Sequence, residues 1–161
     1  MKHLLAVVTC ALVFSVVTWA DEPRAHLPPK AQKAARIASW VTLGIAYTLD
    51  TKASWQSSDR KRAFMYQGLR FGLSNAAVGG LKKYFPRDRP CAPNNCGSDD
   101  PHASFCSGHT ANAFQTVGGP PAKYAYPLAA ATAAGRWLGN LHWPSDLAAC
   151  AGIGLGLSRL R

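Results

Sequence analysis

Three short stretches hold the residues that could do chemistry. The first is "KKYFPRDRP", in which Lys82 precedes the pair Arg89-Pro90 by six intervening residues. The second is "CSGHT", where Ser107 and His109 flank Gly108. The third is "RWLGNLHWPSD", giving Arg136, His142 and Asp146 in order. An aspartate four residues after a histidine can accept the imidazole proton and fix the tautomer, leaving the other ring nitrogen as a base or nucleophile. A guanidinium beside that nitrogen offers the forked geometry that suits a phosphoryl group. A glycine-loosened helix start exposes amide donors for an anion, and a histidine there can protonate a leaving oxygen. Three cations, amide donors, one acid and one nucleophile with its carboxylate together make a phosphoryl-transfer set.

These side chains must be carried by helices. Pro29 suits a first helical position, and the pattern predicts a helix over about 30–49. The stretch "DTKASWQSSD" reads as a linker, with Ser57 or Ser58 as N-cap and Asp59 near the positive end of the next helix. That second helix is expected over about 60–84, stopped by Pro86, with Gly79-Gly80 permitting a close crossing or a bend. Residues 86–106 read as a long irregular segment of the functional kind. A third helix starts near His109 and stops at "VGGPP", a fourth spans about 122–138 and a fifth about 144–157. This layout places His142 in the link between the last two helices and Asp146 in the first turn of the fifth. No strand-like alternation competes, so the expected fold is all-α, a compact bundle of about five helices. Trp40 and Tyr47 read as core residues of the first helix.

Bulk properties narrow the setting. At 161 residues the chain makes one domain. Lys2 and His3 open a charge-free run from Leu4 to Ala20, and Thr18 and Ala20 place small residues before Asp21. Residues 1–20 therefore read as a secretory signal cut after Ala20, leaving 21–161 as an exported, periplasmic domain. The alternative is a retained anchor, with the domain on the inner membrane facing the periplasm. The longest apolar charge-free stretches after the leader, Ile37 to Leu49, Tyr124 to Gly135 and Leu147 to Ser158, are short for a membrane span. Formal charge is +10, which admits an anionic membrane surface or a phosphorylated substrate as partner. No nucleic-acid motif accompanies it, and no nucleic-acid partner is expected. The groups Lys30, Lys33, Arg36 and Arg60, Lys61, Arg62 read as solvated helix faces. Cys91, Cys96, Cys106 and Cys150 are an even set in an exported chain, which favours disulfides over zinc.

The three stretches resemble the signature motifs of the type 2 phosphatidic acid phosphatase superfamily, which includes bacterial acid phosphatases and vanadium haloperoxidases. Lys82, Arg89 and Pro90 meet the first motif. Ser107, Gly108 and His109 meet the second, with Cys106 in place of proline. Arg136, His142 and Asp146 meet the third. The resemblance covers about 60–157 and implies a helical-bundle core with metal-independent hydrolysis through a phosphohistidine, without cofactor or metal. By that resemblance His142 is the nucleophile, Asp146 its partner and His109 the general acid. Lys82, Arg89, Arg136 and the amides of Ser107 and Gly108 hold the phosphate. The implied substrate is a phosphomonoester or diphosphate, either lipid-linked (polyprenyl diphosphate, phosphatidate, lipid A) or soluble. His26 and His102 match nothing and read as exposed loop residues; Lys83 lies one residue off register.

By that resemblance two positions are atypical, Cys106 in the second motif and Cys150 four residues after Asp146, and both are cysteine. If His109 and His142 face one phosphate, the starts of their helices are neighbours. The expected bridges are then Cys106–Cys150 and Cys91–Cys96, against a Cys96–Cys106 alternative. A cysteine-dependent phosphatase built on Cys106 is excluded, because position 112, where its arginine would stand, is Asn112. The remaining alternatives are a vanadate-dependent haloperoxidase and a catalytically idle binder of anionic lipid or cell-wall polymer on the same fold.

Overall fold

The computed structural model describes residues 27–92, 96 and 99–160; the leader and His26 lie outside the described residues. The architecture is all-α. Among the described residues five helices follow in order: α1 Pro29–Gln56, α2 Arg60–Tyr84, α3 Gly108–Gln115, α4 Ala122–Leu138 and α5 Pro144–Leu157. A 3-10 turn, Thr116–Gly118, follows α3. The only β pairing among the described residues is an isolated bridge between Arg87 and Ala103.

Helix α1 runs a further two turns past the expected stop at Leu49. The charge that marked a linker is the reason. Asp50 is buried and accepts two hydrogen bonds from the Arg70 guanidinium of α2, at 3.1 and 3.0 Å. No glycine or proline interrupts 50–56, so the helix continues with Ser54 on its buried edge. Asp59, rather than Ser57 or Ser58, caps α2 by accepting from the Arg62 amide at 3.0 Å. Arg36 also departs from expectation. Its Nε donates to the Gly139 carbonyl at 2.8 Å, capping the C-terminus of α4 from α1.

The core is made of small side chains. Leu43, Ala113, Val117, Ala125 and Ala129 form one cluster; Val78, Cys106, Ala111 and Cys150 form a second. Such residues bury little area each, so the helices must approach closely. The main pairings are α1 with α4 and α3 with α5, and a glycine stands at each contact. A Cβ on Gly135 of α4 would sit 2.8 Å from the Ala35 carbonyl oxygen of α1. One on Gly154 of α5 would meet the Ala111 carbonyl oxygen of α3 even more closely. The expected crossing point at Gly79-Gly80 is instead open on both residues. Gly154→Ala is therefore expected to cost about 2–3 kcal/mol by overpacking, against backbone that cannot yield. Gly79→Ala should be neutral or stabilising, because it adds helix propensity without a clash. Thermal denaturation of the two variants checks this.

Candidate active site

The end of α4 and the start of α5 position the third stretch. Arg136 lies in the last turn of α4, where its carbonyl accepts the Leu141 amide at 3.1 Å. Asn140 turns the chain with φ of 59°, in the left-handed region that asparagine tolerates. His142 follows and is buried at 2 % exposure. Its Nδ1 lies 2.8 Å from the Ser104 carbonyl oxygen. A carbonyl only accepts, so Nδ1 carries the proton and Nε2 keeps its lone pair. That Nε2 faces Arg89 Nη1 at 3.2 Å.

The carboxylate expected on the imidazole stands one step back. Asp146 Oδ2 is 3.7 Å from Nδ1, beyond a hydrogen bond, and the nearer Ser104 carbonyl takes the proton. Asp146 is fully buried and holds its surroundings instead. It accepts from the Ser104 hydroxyl, from the Trp143 amide at 3.0 Å and from Arg87 Nη1 at 2.8 Å. Burial would raise its pKa, but His142, Ser104, Trp143 and Arg87 together hold it below the usual carboxylate value. Asp146 thus fixes the segment whose carbonyl fixes the His142 tautomer. Spacing within one stretch can put Asp146 near His142; it cannot reveal a main-chain acceptor from a distant loop.

Arg89 and Lys82 are pinned by the irregular segment. Arg89 donates from Nε to the Asp100 carbonyl at 2.7 Å and from Nη1 to the Leu141 carbonyl at 3.0 Å. Lys82 Nζ donates to the Ala103 carbonyl at 2.6 Å. Burial first, then the Arg89 charge, lowers the Lys82 ammonium to about 8. Arg136, 3 % exposed, has a buried Nε with no partner, and its Nη2 lies 3.5 Å from Asp99. Burial brings it down to about 10.

Ser107 stands at the N-cap position of α3 without a side-chain capping bond, and Gly108 begins the helix. Their amides are among those a helix start leaves without an internal acceptor. His109 packs edge-on against the Trp40 ring at 4.1 Å between centroids, and its buried Nε2 has no partner. Burial, then Arg136 and His142, lowers His109 to about 3; burial likewise lowers His142 to about 4. Both imidazoles are therefore neutral near neutral pH.

One cavity of about 570 Å³ gathers these groups. Lys82, Arg89, Gly108, His109, Arg136 and His142 line it, and Trp40, Leu43, Tyr47, Phe71 and Val78 extend its wall along α1 and α2. Trp40 is accordingly no core residue: it is 61 % exposed, while Tyr47 packs half-buried against the first cluster. Cys106 pairs with Cys150 at a Cα separation of 5.8 Å, and Cys91 with Cys96 at 5.2 Å. The first bridge joins the segment entering α3 to α5. Lys83 and His102 are exposed, and His102 binds the exposed Asp88 rather than the site.

Arg87, Ser104, Asp99 and Trp40 serve the site without belonging to a motif. Arg87 left one signal, since it precedes Arg89 by two, the spacing that puts side chains on one side of an extended segment. The other three enter only through tertiary contacts.

The arrangement defines a basic, partly apolar pocket with a buried, singly protonated histidine, a site for phosphoryl chemistry. The family model described as PAP2 superfamily matches residues 63–119, a stretch that contains the first two motifs. That match supports the resemblance of the chain to the type 2 phosphatidic acid phosphatase superfamily. Proteins of that superfamily are generally phosphatases acting on phosphorylated substrates. No curated protein and no solved structure matches the chain.

Proposed function

We propose that the protein is a phosphohydrolase working through a phosphohistidine on His142, with no metal needed. One observation carries the reading: His142 Nε2 keeps its lone pair, because Nδ1 donates to Ser104, and it faces Arg89 in a cavity shared with Lys82, Arg136 and His109. Nε2 attacks phosphorus in line while the bond to the leaving oxygen breaks. Arg89, Arg136, Lys82 and the amides of Ser107 and Gly108 stabilise the equatorial oxygens. His109 protonates the leaving oxygen, then accepts a proton from the water that cleaves the phosphohistidine. Rapid quench with a labelled phosphate ester tests this: a phosphoenzyme stable to alkali and labile to acid is expected, and its absence under turnover rejects the mechanism.

The proton on His109 has a source. Its pKa is lowered to about 3 by burial and by neighbouring cations, so His109 does not carry the proton by itself near neutral pH. A phosphomonoester, whose second pKa is near ~6, brings both the proton and the negative charge that lets His109 hold it. Above that pH the productive form is depleted, so kcat/KM should fall about tenfold per unit. On the acid side activity should persist until His142 protonates near its pKa of about 4. A pH profile flat from 6 to 9 contradicts this assignment.

The exposed Trp40 and the apolar wall along α1 and α2 favour a lipid-linked phosphate over a soluble one. Phosphatidate, polyprenyl diphosphate and lipid A, compared with p-nitrophenyl phosphate, test that preference. No described helix is long and apolar enough to cross a membrane, and Ile37, Val41, Ile45, Met65 and Leu69 leave α1 and α2 with apolar exposed faces. We read the protein as exported, cleaved after Ala20 and peripherally associated with an anionic membrane. Intact mass of the exported chain, with salt against detergent extraction, distinguishes this from a retained anchor.

A further inference from the structure

The cations around His142 already face a carboxylate. Asp99 Oδ2 stands 3.5 Å from Arg136 Nη2, and Asp99 lines the cavity with Lys82, Arg89 and His109. Its position is held by the site itself. Arg89 Nε binds the carbonyl of the next residue, Asp100, and the Arg89 amide binds the Pro101 carbonyl, both at 2.7 Å. The arginine that faces His142 therefore also aims Asp99 at Arg136. The Asp99 side chain is 36 % exposed, which leaves it a route to water.

We infer that Asp99 is an internal counter-ion of the phosphate site, a specificity-determining residue that an incoming phosphoryl group must displace from Arg136. The inference rests on reading the cavity as a phosphoryl site. The carboxylate neutralises part of the cationic cluster. A bound phosphate dianion would then face a like charge across one guanidinium, a repulsion the low-dielectric pocket strengthens. A substrate whose apolar leaving group packs against Trp40, Tyr47 and Phe71 has additional contacts to offset that repulsion. Inorganic phosphate has none, so Asp99 disfavours the product relative to the substrate.

Calorimetric binding of inorganic phosphate to the whole exported chain, at pH 7 and fixed ionic strength, reads this directly. Asp99→Asn and Asp99→Ala should each bind phosphate at least about tenfold more tightly than wild type, the scale of removing one partly exposed like charge. Asp99→Glu should stay near wild type, and so should Asp88→Asn, which removes the same charge outside the cavity. Arg136→Gln should weaken binding in every background. Equal or weaker affinity in both neutral Asp99 variants, with the Arg136 dependence intact, overturns the counter-ion role alone. Phosphate binding that is absent throughout, or indifferent to Arg136, overturns the phosphate site together with it.

Discussion

His142→Ala is expected to abolish both turnover and phosphoenzyme, with a loss of at least about 10⁴-fold in kcat, the scale of removing a covalent nucleophile. The case rests on position. Of the two imidazoles that line the cavity, His142 has its tautomer set by a backbone acceptor, and its unprotonated Nε2 accepts from Arg89 Nη1 at 3.2 Å. His109 lacks that arrangement, since its buried Nε2 has no partner and its ring packs against Trp40. His109→Ala should therefore leave the phosphohistidine step possible while slowing release of the leaving group by about 10²-fold or more. A substrate with an acidic leaving group such as p-nitrophenol should recover much of that loss, because it needs no protonation. Turnover that survives His142→Ala at more than a few per cent rejects the nucleophile assignment.

Removing the Cys106–Cys150 bridge is expected to produce the largest loss of stability. The bridge spans a sequence separation of 44, for which the chain-entropy model gives ~4 kcal/mol. A domain with so small-sided a core has little reserve against such a loss. The functional loss should exceed what unfolding alone explains, because the bridge fixes the start of α3 to α5. The Ser107 and Gly108 amides and His109 sit on one side of it, and Asp146 on the other. In a Cys106→Ala/Cys150→Ala double variant, phosphate affinity should fall even at temperatures where the chain stays folded. Dithiothreitol should reproduce the effect in the wild type and, in the variant, add only the smaller loss from opening the short Cys91–Cys96 ring. Denaturant unfolding with and without reductant decides; equal midpoints in all four conditions count against the bridge as a structural tie.

Much of this protein is legible before folding is considered. The spacing of Lys82 and Arg89, of Ser107 and His109, and of Arg136, His142 and Asp146 is local, because a loop or helix turn sets which side each residue takes. Pro29, Pro144 and the Gly139-Asn140 stop mark helix ends by backbone geometry that depends on few neighbours. Asp50 shows where local reading fails. A charged residue beyond an apolar run signals solvent, unless a partner such as Arg70 arrives from another helix to be buried with it. Arg36 fails in the same way, its solvated-face pattern concealing a cap on a helix distant in sequence.

Which groups act on the imidazole was decided only by tertiary structure. The sequence determined that an aspartate follows His142 by one helical turn; the folded chain decided that the Ser104 carbonyl stands nearer to Nδ1 and that Asp146 steadies it. A backbone carbonyl has no residue type to announce it, so no pattern of letters can place it. Asp99 among the cations, and Trp40 on the cavity wall, likewise follow from how the irregular segment and α1 lie across the motif-bearing helices. Sequence determines chemistry within a few residues, where covalent geometry limits the options. Distances between segments depend on the sum of many weak packing contacts, which only the whole chain specifies.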